Sequence, residues 1–269
     1  MARLLSILVC ADVSLQAARC QSACRKSAGL AHADTQTCHE SDAELVQVGN
    51  VSELLGTVIE EDIVDAALRA LEAHDGRGHA WAEAEADGTP RPRRRTLNFG
   101  WDFVELERGR LRWIELPVAL QRLREAIYNR FRGVSADLWG ASAEALDNVI
   151  VTIYDPGDAV VPHFDRDEGN LSKPYHFGES IFGVVLMPDA SSRIFWQRED
   201  TQQRRSSLRM DQARPDIELA ERKGAAFMMQ GPIRHWPYYH GVTSVAERRI
   251  SATVRATRIV KPEQMERIA

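Results

Sequence analysis

Beyond Cys38 this 269-residue chain contains no cysteine; its four, Cys10, Cys20, Cys24 and Cys38, all sit in the N-terminal stretch. The bulk of the protein therefore relies on neither disulfides nor thiolate chemistry, and the four spacings match no zinc pattern well. Long apolar runs are missing too. None approaches the roughly 18 residues of a membrane span, so no membrane partner is expected. Basic charge is not in excess: a net charge of -5 speaks against a wholly basic nucleic-acid binder, although a local basic patch is compatible with it. No internal repeat is visible.

With 44% apolar and 27% charged residues the chain has the composition of a globular protein. By the soft prior of ~150 residues per domain it forms one large domain or two small ones. Residues 1–44 differ from the rest. They are rich in Ala and Ser, and the first 33 hold Arg3, Arg19, Arg25 and Lys26 against the single acid Asp12. That composition suits an organelle transit peptide for mitochondrion or plastid. A secretory signal with Leu4 to Ala11 as its apolar core and a disordered tail are the rival readings. An intracellular location is the expectation, in an organelle or otherwise in cytoplasm or nucleus.

Residues 45–147 read as a helical region leading into the core. Leu54, Leu55, Val58, Ile63, Val64, Ala67, Leu68 and Leu71 recur at helical spacing from Glu53 to Ala73, with Gly76 and Gly78 closing the helix. A loop, "ADGTPRPRRR", follows, then "TLNFGWDFVEL" as a strand or hairpin with an aromatic face. Pro117 opens a second helix whose stripe is Leu120, Leu123, Ile127 and Phe131. Residues 148–269 change texture. "VIVTIY", "AVVPHF", "SIFGVVLM", "SRIFWQ", "AAFMMQ", "WPYYHGV" and "RISATVRAT" are short β-type segments separated by turns, which points to a sandwich, jelly roll or barrel.

Within "VVPHFDRDEGN" a strand pattern carries His163 and Asp165 two residues apart, hence on one face if the strand persists. The pair is either a satisfied polar patch or two-thirds of a metal site. His240, in "YYHGV", supplies a third donor. Two histidines and one carboxylate can occupy one face of an octahedral metal and leave three positions open. Further on, Arg249 and Arg255 in "RISATVR" share a strand face. Buried, they need anionic partners, which a dicarboxylate would supply; exposed, they are salt-bridged surface residues.

In combination, "Y-x-P-G-x5-H-x-D-x-D-E" from Tyr154 to Glu168, "HGV" at His240 and "R-x5-R" at Arg249 and Arg255 resemble the AlkB family of Fe(II)/2-oxoglutarate dioxygenases, over roughly residues 97–258. The resemblance implies an α+β fold with a double-stranded β-helix (jelly-roll, cupin-like) core and supporting N-terminal helices. It implies Fe(II) held by His163, Asp165 and His240, with 2-oxoglutarate and O2 as co-substrates. Tyr154 and Arg249 would hold the far carboxylate of 2-oxoglutarate, and Arg255 would lie near its metal-bound end. Thr152 and Ser251 stand where the family often has Asn, which leaves those contacts to hydroxyls.

The implied reaction is oxidative demethylation of N-alkylated bases in nucleic acid, releasing formaldehyde, succinate and CO2. Asp167 and Glu168 would touch the base at the mouth of the site. Arg91, Arg93, Arg94 and Arg95 beside Phe99, Trp101 and Phe103 suit a single strand or flipped base, with Trp101 as a stacking candidate. A solvated loop running into a core strand explains the same residues. The alternatives are a protein or small-molecule hydroxylase on the same scaffold, and a non-catalytic cupin-like binding protein. A monomer is expected.

Overall fold

The alternating segments after residue 147 all form strands, and these pair into two facing sheets. The computed structural model describes residues 45–48, 52–74, 79–81, 94–165, 174–198, 215–235 and 237–267. All lie within one unit, Asp42–Ala269. The N-terminal half contributes β1 (Val46–Gln47), β2 (Leu54–Val58), α1 (Glu61–Glu72), β3 (His79–Trp81), β4 (Arg94–Trp101), α2 (Phe103–Glu107), β5 (Arg110–Leu111), β6 (Trp113–Ile114) and α3 (Val118–Phe131). The C-terminal half contributes β7 (Asn148–Tyr154), β8 (Val160–His163), β9 (Tyr175–Phe177), β10 (Ile181–Met187), β11 (Arg193–Arg198) and β12 (Ile217–Ala220). It continues with β13 (Ala225–Met229), β14 (Tyr238–Val242), β15 (Arg249–Arg255), β16 (Thr257–Ile259) and β17 (Glu266–Arg267).

The large sheet runs β1-β2-β13-β10-β15-β7-β4-β3, with β6 paired to β4, and the small sheet runs β12-β11-β14-β8. From β7 to β15 the chain passes back and forth between them, with β11 and β12 consecutive in the small sheet and β9 outside both. Strands β7, β10, β13 and β15 belong to the large sheet, and β8, β11, β12 and β14 to the small one. Eight antiparallel strands wound in this order make a double-stranded β-helix, the jelly-roll core expected. The N-terminal strands β2 and β4 extend the large sheet on either side.

Each large-sheet strand has two unlike faces, because successive side chains point to opposite sides. Val149, Val151, Phe182, Val184, Ala252 and Val254 face the helices and pack with Val64, Leu71, Leu120, Leu123, Ile127 and Phe131. Tyr154, Ile181, Val185, Phe227 and Met229 face inward, toward Ile194, Trp196 and Val242 of the small sheet. Burying each aliphatic or aromatic side chain of this kind stabilises by about 1.5–3 kcal/mol, so the helix layer anchors the sheet.

Two N-terminal segments differ from their sequence patterns. Leu54–Val58 form a strand, and the helix begins only at Glu61. Leu54 points into the inter-sheet core while Leu55 packs on the helix side, a period of two that the short apolar run conceals. In "TLNFGWDFVEL" the strand stops at Trp101. The carboxylate of Asp102 accepts the N–H of Val104 at 3.0 Å and caps α2, so Phe103 opens a helix and shares no strand face with Trp101. α3 follows Pro117 as expected, with its predicted stripe buried. Gly76, Gly78, Arg91 and Arg93 lie outside the described residues.

Candidate metal centre

His163 and His240 come together because β8 and β14 are neighbours in the small sheet and place them directly opposite one another. Gly241 makes this approach possible. A side-chain carbon there would lie 2.6 Å from the carbonyl oxygen of Val160 and 2.9 Å from the Phe195 ring. The imidazole rings are 4.5 Å apart between centroids. Asp165 lies two residues past the end of β8, and its Oδ1 sits 3.9 Å from Nε2 of His240. One donor atom from each of the three side chains falls within 4.8 Å of the others.

The donor chemistry fits a divalent metal. Nδ1 of His163 lies 2.9 Å from the carbonyl oxygen of Val161, which makes it the protonated nitrogen and leaves Nε2 with its lone pair toward the site. Burial pushes both imidazoles toward the neutral, ligating form, and His240 falls to about 3, with His163 adding to the shift. Burial alone would raise Asp165. The adjacent His240 imidazole and the fixed positive charges of Arg255 and Arg234, with His163, outweigh it and hold the carboxyl well below the usual carboxylate range. The buried Nδ1 of His240 has no hydrogen-bond partner among the described residues.

Arg234 and His235 are site residues to which the sequence pattern assigned no role. They follow a 3-10 turn at Gly231–Ile233, and together they grip Asp165. Nε of Arg234 donates to Oδ2 at 2.9 Å, and both side chains are nearly inaccessible. The Asp165 N–H donates to the Arg234 carbonyl at 3.2 Å, and Nδ1 of His235 lies 3.1 Å from the Asp165 carbonyl oxygen. Arg234 also donates through Nη1 to the Gly178 carbonyl. Asp165 thus owes its position to this turn and not to strand geometry. No spacing rule links residues 165 and 234, so only the chemistry of a buried arginine next to a histidine was available as a signal.

The register of β15 against β7 pairs Arg249 with Tyr154, Ser251 with Thr152 and Arg255 with Asn148. All four expected co-substrate residues on these strands besides Arg255 therefore form one patch on the inner side of the large sheet. The Arg249 guanidinium lies 4.6 Å from the centroid of the Tyr154 ring, and its Nη1 donates to Ser251 Oγ at 2.9 Å. Arg249 is 1% exposed, but its counter-ion is already present. Its Nε donates to the fully buried carboxylate of Glu221, 2.7 Å from each oxygen. An external dicarboxylate is not needed to explain the buried cation, which corrects that step of the sequence argument.

Arg255 lies over the rings of Phe177 and Phe103, 5.2 and 5.9 Å from their centroids, and its charge reaches all three triad residues. Arg94 is close enough to depress His163 as well. Trp101 packs edge-on against Trp113, with centroids 5.2 Å apart. Asp167 and Glu168 lie outside the described residues.

No protein-family model matches the sequence, and no curated protein matches it significantly. Among solved structures, the chain is similar to a prolyl hydroxylase from Trichoplax adhaerens in complex with a hypoxia inducible factor oxygen degradation domain peptide fragment. The TM-score is 0.47 and the identity 11%, over 80% of this chain and 86% of that one. A Pseudomonas putida prolyl-4-hydroxylase gives a TM-score of 0.42 at 15% identity, over 77% of this chain and 93% of its own. Neither likeness bears on what this chain acts on. Among the described residues, no helix is long and apolar enough to cross a membrane.

Proposed function

We propose that the protein is an Fe(II)- and 2-oxoglutarate-dependent oxygenase that removes N-methyl groups from bases in nucleic acid. The observation that carries the oxygenase reading is the His163–Asp165–His240 cluster, two imidazoles on the small sheet of a double-stranded β-helix and one carboxylate just past its edge strand, within 4.8 Å of one another. Bound iron with 2-oxoglutarate would supply the means to split O2, one oxygen entering succinate as CO2 leaves and the other entering the substrate.

The chain's own residues divide the remaining work. Arg249, Tyr154, Ser251 and Thr152 line the patch that receives the distal carboxylate, and Arg255, buttressed by two phenylalanine rings, attracts the end nearer the metal. On an N-methyl substrate a C–H bond becomes C–OH. The resulting hemiaminal then breaks its C–N bond, returning a proton to nitrogen and releasing formaldehyde. The nucleic-acid reading is supported by the resemblance of the motif order to the AlkB family and by the cationic side chain of Arg94 near the triad. Asp167 and Glu168 are proposed to read the base, preferring an exocyclic amine or a cationic N-methyl group.

The test is mass spectrometry of a panel of methylated single-stranded oligonucleotides incubated with the full chain, Fe(II), ascorbate and 2-oxoglutarate. Loss of the methyl group with matching succinate and formaldehyde is expected, most strongly on N-methylated adenine or cytosine. Succinate without change in any oligonucleotide would move the substrate to a protein or small molecule. No succinate under any condition would remove the oxygenase reading.

A further inference from the structure

Arg249 and Glu221 form an ion pair that joins the two sheets. Glu221 directly follows β12 of the small sheet, and Arg249 opens β15 of the large one. Both side chains are almost wholly inaccessible, at 1% for Arg249 and 0% for Glu221. The carboxylate presents both oxygens to Nε, while Nη1 is directed to Ser251 and the Tyr154 ring lies against the guanidinium. A patch intended only to capture a dicarboxylate needs the arginine, the hydroxyls and the ring. It does not need a second carboxylate on the same guanidinium, and a like charge there opposes the ligand.

We propose that Glu221 is the residue that sets how tightly, and how selectively, the site holds its dicarboxylate co-substrate. This rests on the reading of Arg249 as the residue that receives the distal carboxylate. Before the co-substrate arrives, Glu221 neutralises and orients the guanidinium, which keeps a buried cation from standing alone. When the co-substrate arrives, two carboxylates share one guanidinium, and their repulsion holds the affinity down. A 2-oxo acid without a distal carboxylate does not meet this repulsion. Glu221 therefore narrows the advantage of 2-oxoglutarate over monocarboxylic 2-oxo acids and makes occupancy responsive to 2-oxoglutarate concentration.

Calorimetric titration of the full chain loaded with Ni(II), which binds the co-substrate without turnover, tests this. The probes are 2-oxoglutarate and 2-oxobutyrate, and the proteins are wild type, Glu221→Gln and Arg249→Gln. Gln keeps the shape and one acceptor for Nε while removing the charge. The expected result is 2-oxoglutarate binding tightened by about tenfold or more in Glu221→Gln, with 2-oxobutyrate changed by less than about twofold. Weaker or unchanged 2-oxoglutarate binding overturns the proposal. So does a parallel shift of both ligands, which means Glu221 only braces the sheets. Should Glu221→Gln not fold, Glu221→Asp keeps the charge but withdraws it from Nε. Tightening in the same direction is then expected, and its absence is equally decisive. If Arg249→Gln binds 2-oxoglutarate as well as wild type does, the co-substrate reading of Arg249 falls first and takes this inference with it.

Discussion

The two faces of the large sheet are made by the same strands and behave as different materials. On β15, Ile250, Ala252 and Val254 point to the helices and are buried among apolar side chains, while Arg249, Ser251, Thr253 and Arg255 point the other way. On β7, Val149, Val151 and Ile153 share the helix side, leaving Thr152 and Tyr154 opposite Ser251 and Arg249. One face can be chemically uniform because its only task is to exclude water. The other carries charge and hydroxyls between the sheets, and every polar group there needs a partner. Stability and chemistry are thus separated by a one-residue step along each strand, and substitutions on the two faces should fail in different ways.

The largest effect is expected at the metal donors, outside the apolar face altogether. His163→Ala or Asp165→Ala should abolish 2-oxoglutarate decarboxylation; the thermal unfolding temperature of the metal-free protein should change little in His163→Ala and fall in Asp165→Ala, which leaves the buried Arg234 guanidinium without its carboxylate. Outer partners of metal ligands alone account for 10- to 100-fold, so loss of a donor should exceed about 100-fold. Either variant working at wild-type rate would remove that residue from the centre.

The opposite behaviour is expected on the helix-facing side. Phe182 is fully buried and packs 5.4 Å from Phe131 between ring centroids. Phe182→Ala should destabilise by about 3–5 kcal/mol in urea unfolding, because it leaves a cavity where sheet meets helix. Activity per folded molecule should be kept. A variant with intact stability and lost turnover would show that the two faces are not separate.

Much of this division was readable beforehand. The parity of "RISATVR" put Arg249 and Arg255 on one face, and the structure keeps them there. The His-x-Asp spacing was a sound guide to the cluster, although the strand ends at His163 and Asp165 is held by other means. The start of α1 was not readable, since Leu54, Leu55 and Val58 satisfy a helical pattern and a strand pattern equally, and pairing with β13 decided it. The roles of Arg234, His235 and Glu221 were not readable, for a different reason. Each works through a partner distant in sequence, and each sits just outside a regular element, where periodicity says nothing.

A smaller effect is expected at Arg234, which acts on the metal only through Asp165. Arg234→Met removes the donor to Oδ2 while keeping much of the side-chain bulk. Metal affinity, followed by titration with Co(II) and its visible spectrum, should weaken by about 10- to 100-fold. Arg234→Lys should recover part of the loss by restoring the charge. If Met weakens folding but leaves Co(II) affinity of the folded protein unchanged, Arg234 is a packing residue for the Gly178 segment and not a positioning residue for Asp165.

The smallest effect is expected at the end of the sheet where the two faces meet. Asp147 precedes β7, and its Oδ1 accepts the N–H of Thr257 at 2.8 Å. Burial raises its pKa from 3.8 to about 6, although the Thr257 contacts pull the other way. Between those values the folded protein binds more protons at this position than the unfolded chain does. Stability therefore declines as pH rises through the window and levels off above it. An Asn keeps the oxygen that Thr257 needs and cannot ionise. Asp147→Asn should accordingly gain on the wild type between pH 4 and pH 6.5, by about 1–2 kcal/mol once partial exposure of the residue is allowed for. Unfolding free energies of both proteins across that range decide the matter. A difference that stays flat with pH, or that moves in favour of the wild type as pH rises, would mean that Asp147 stays ionised throughout and that its hydrogen bond from Thr257 outweighs its burial.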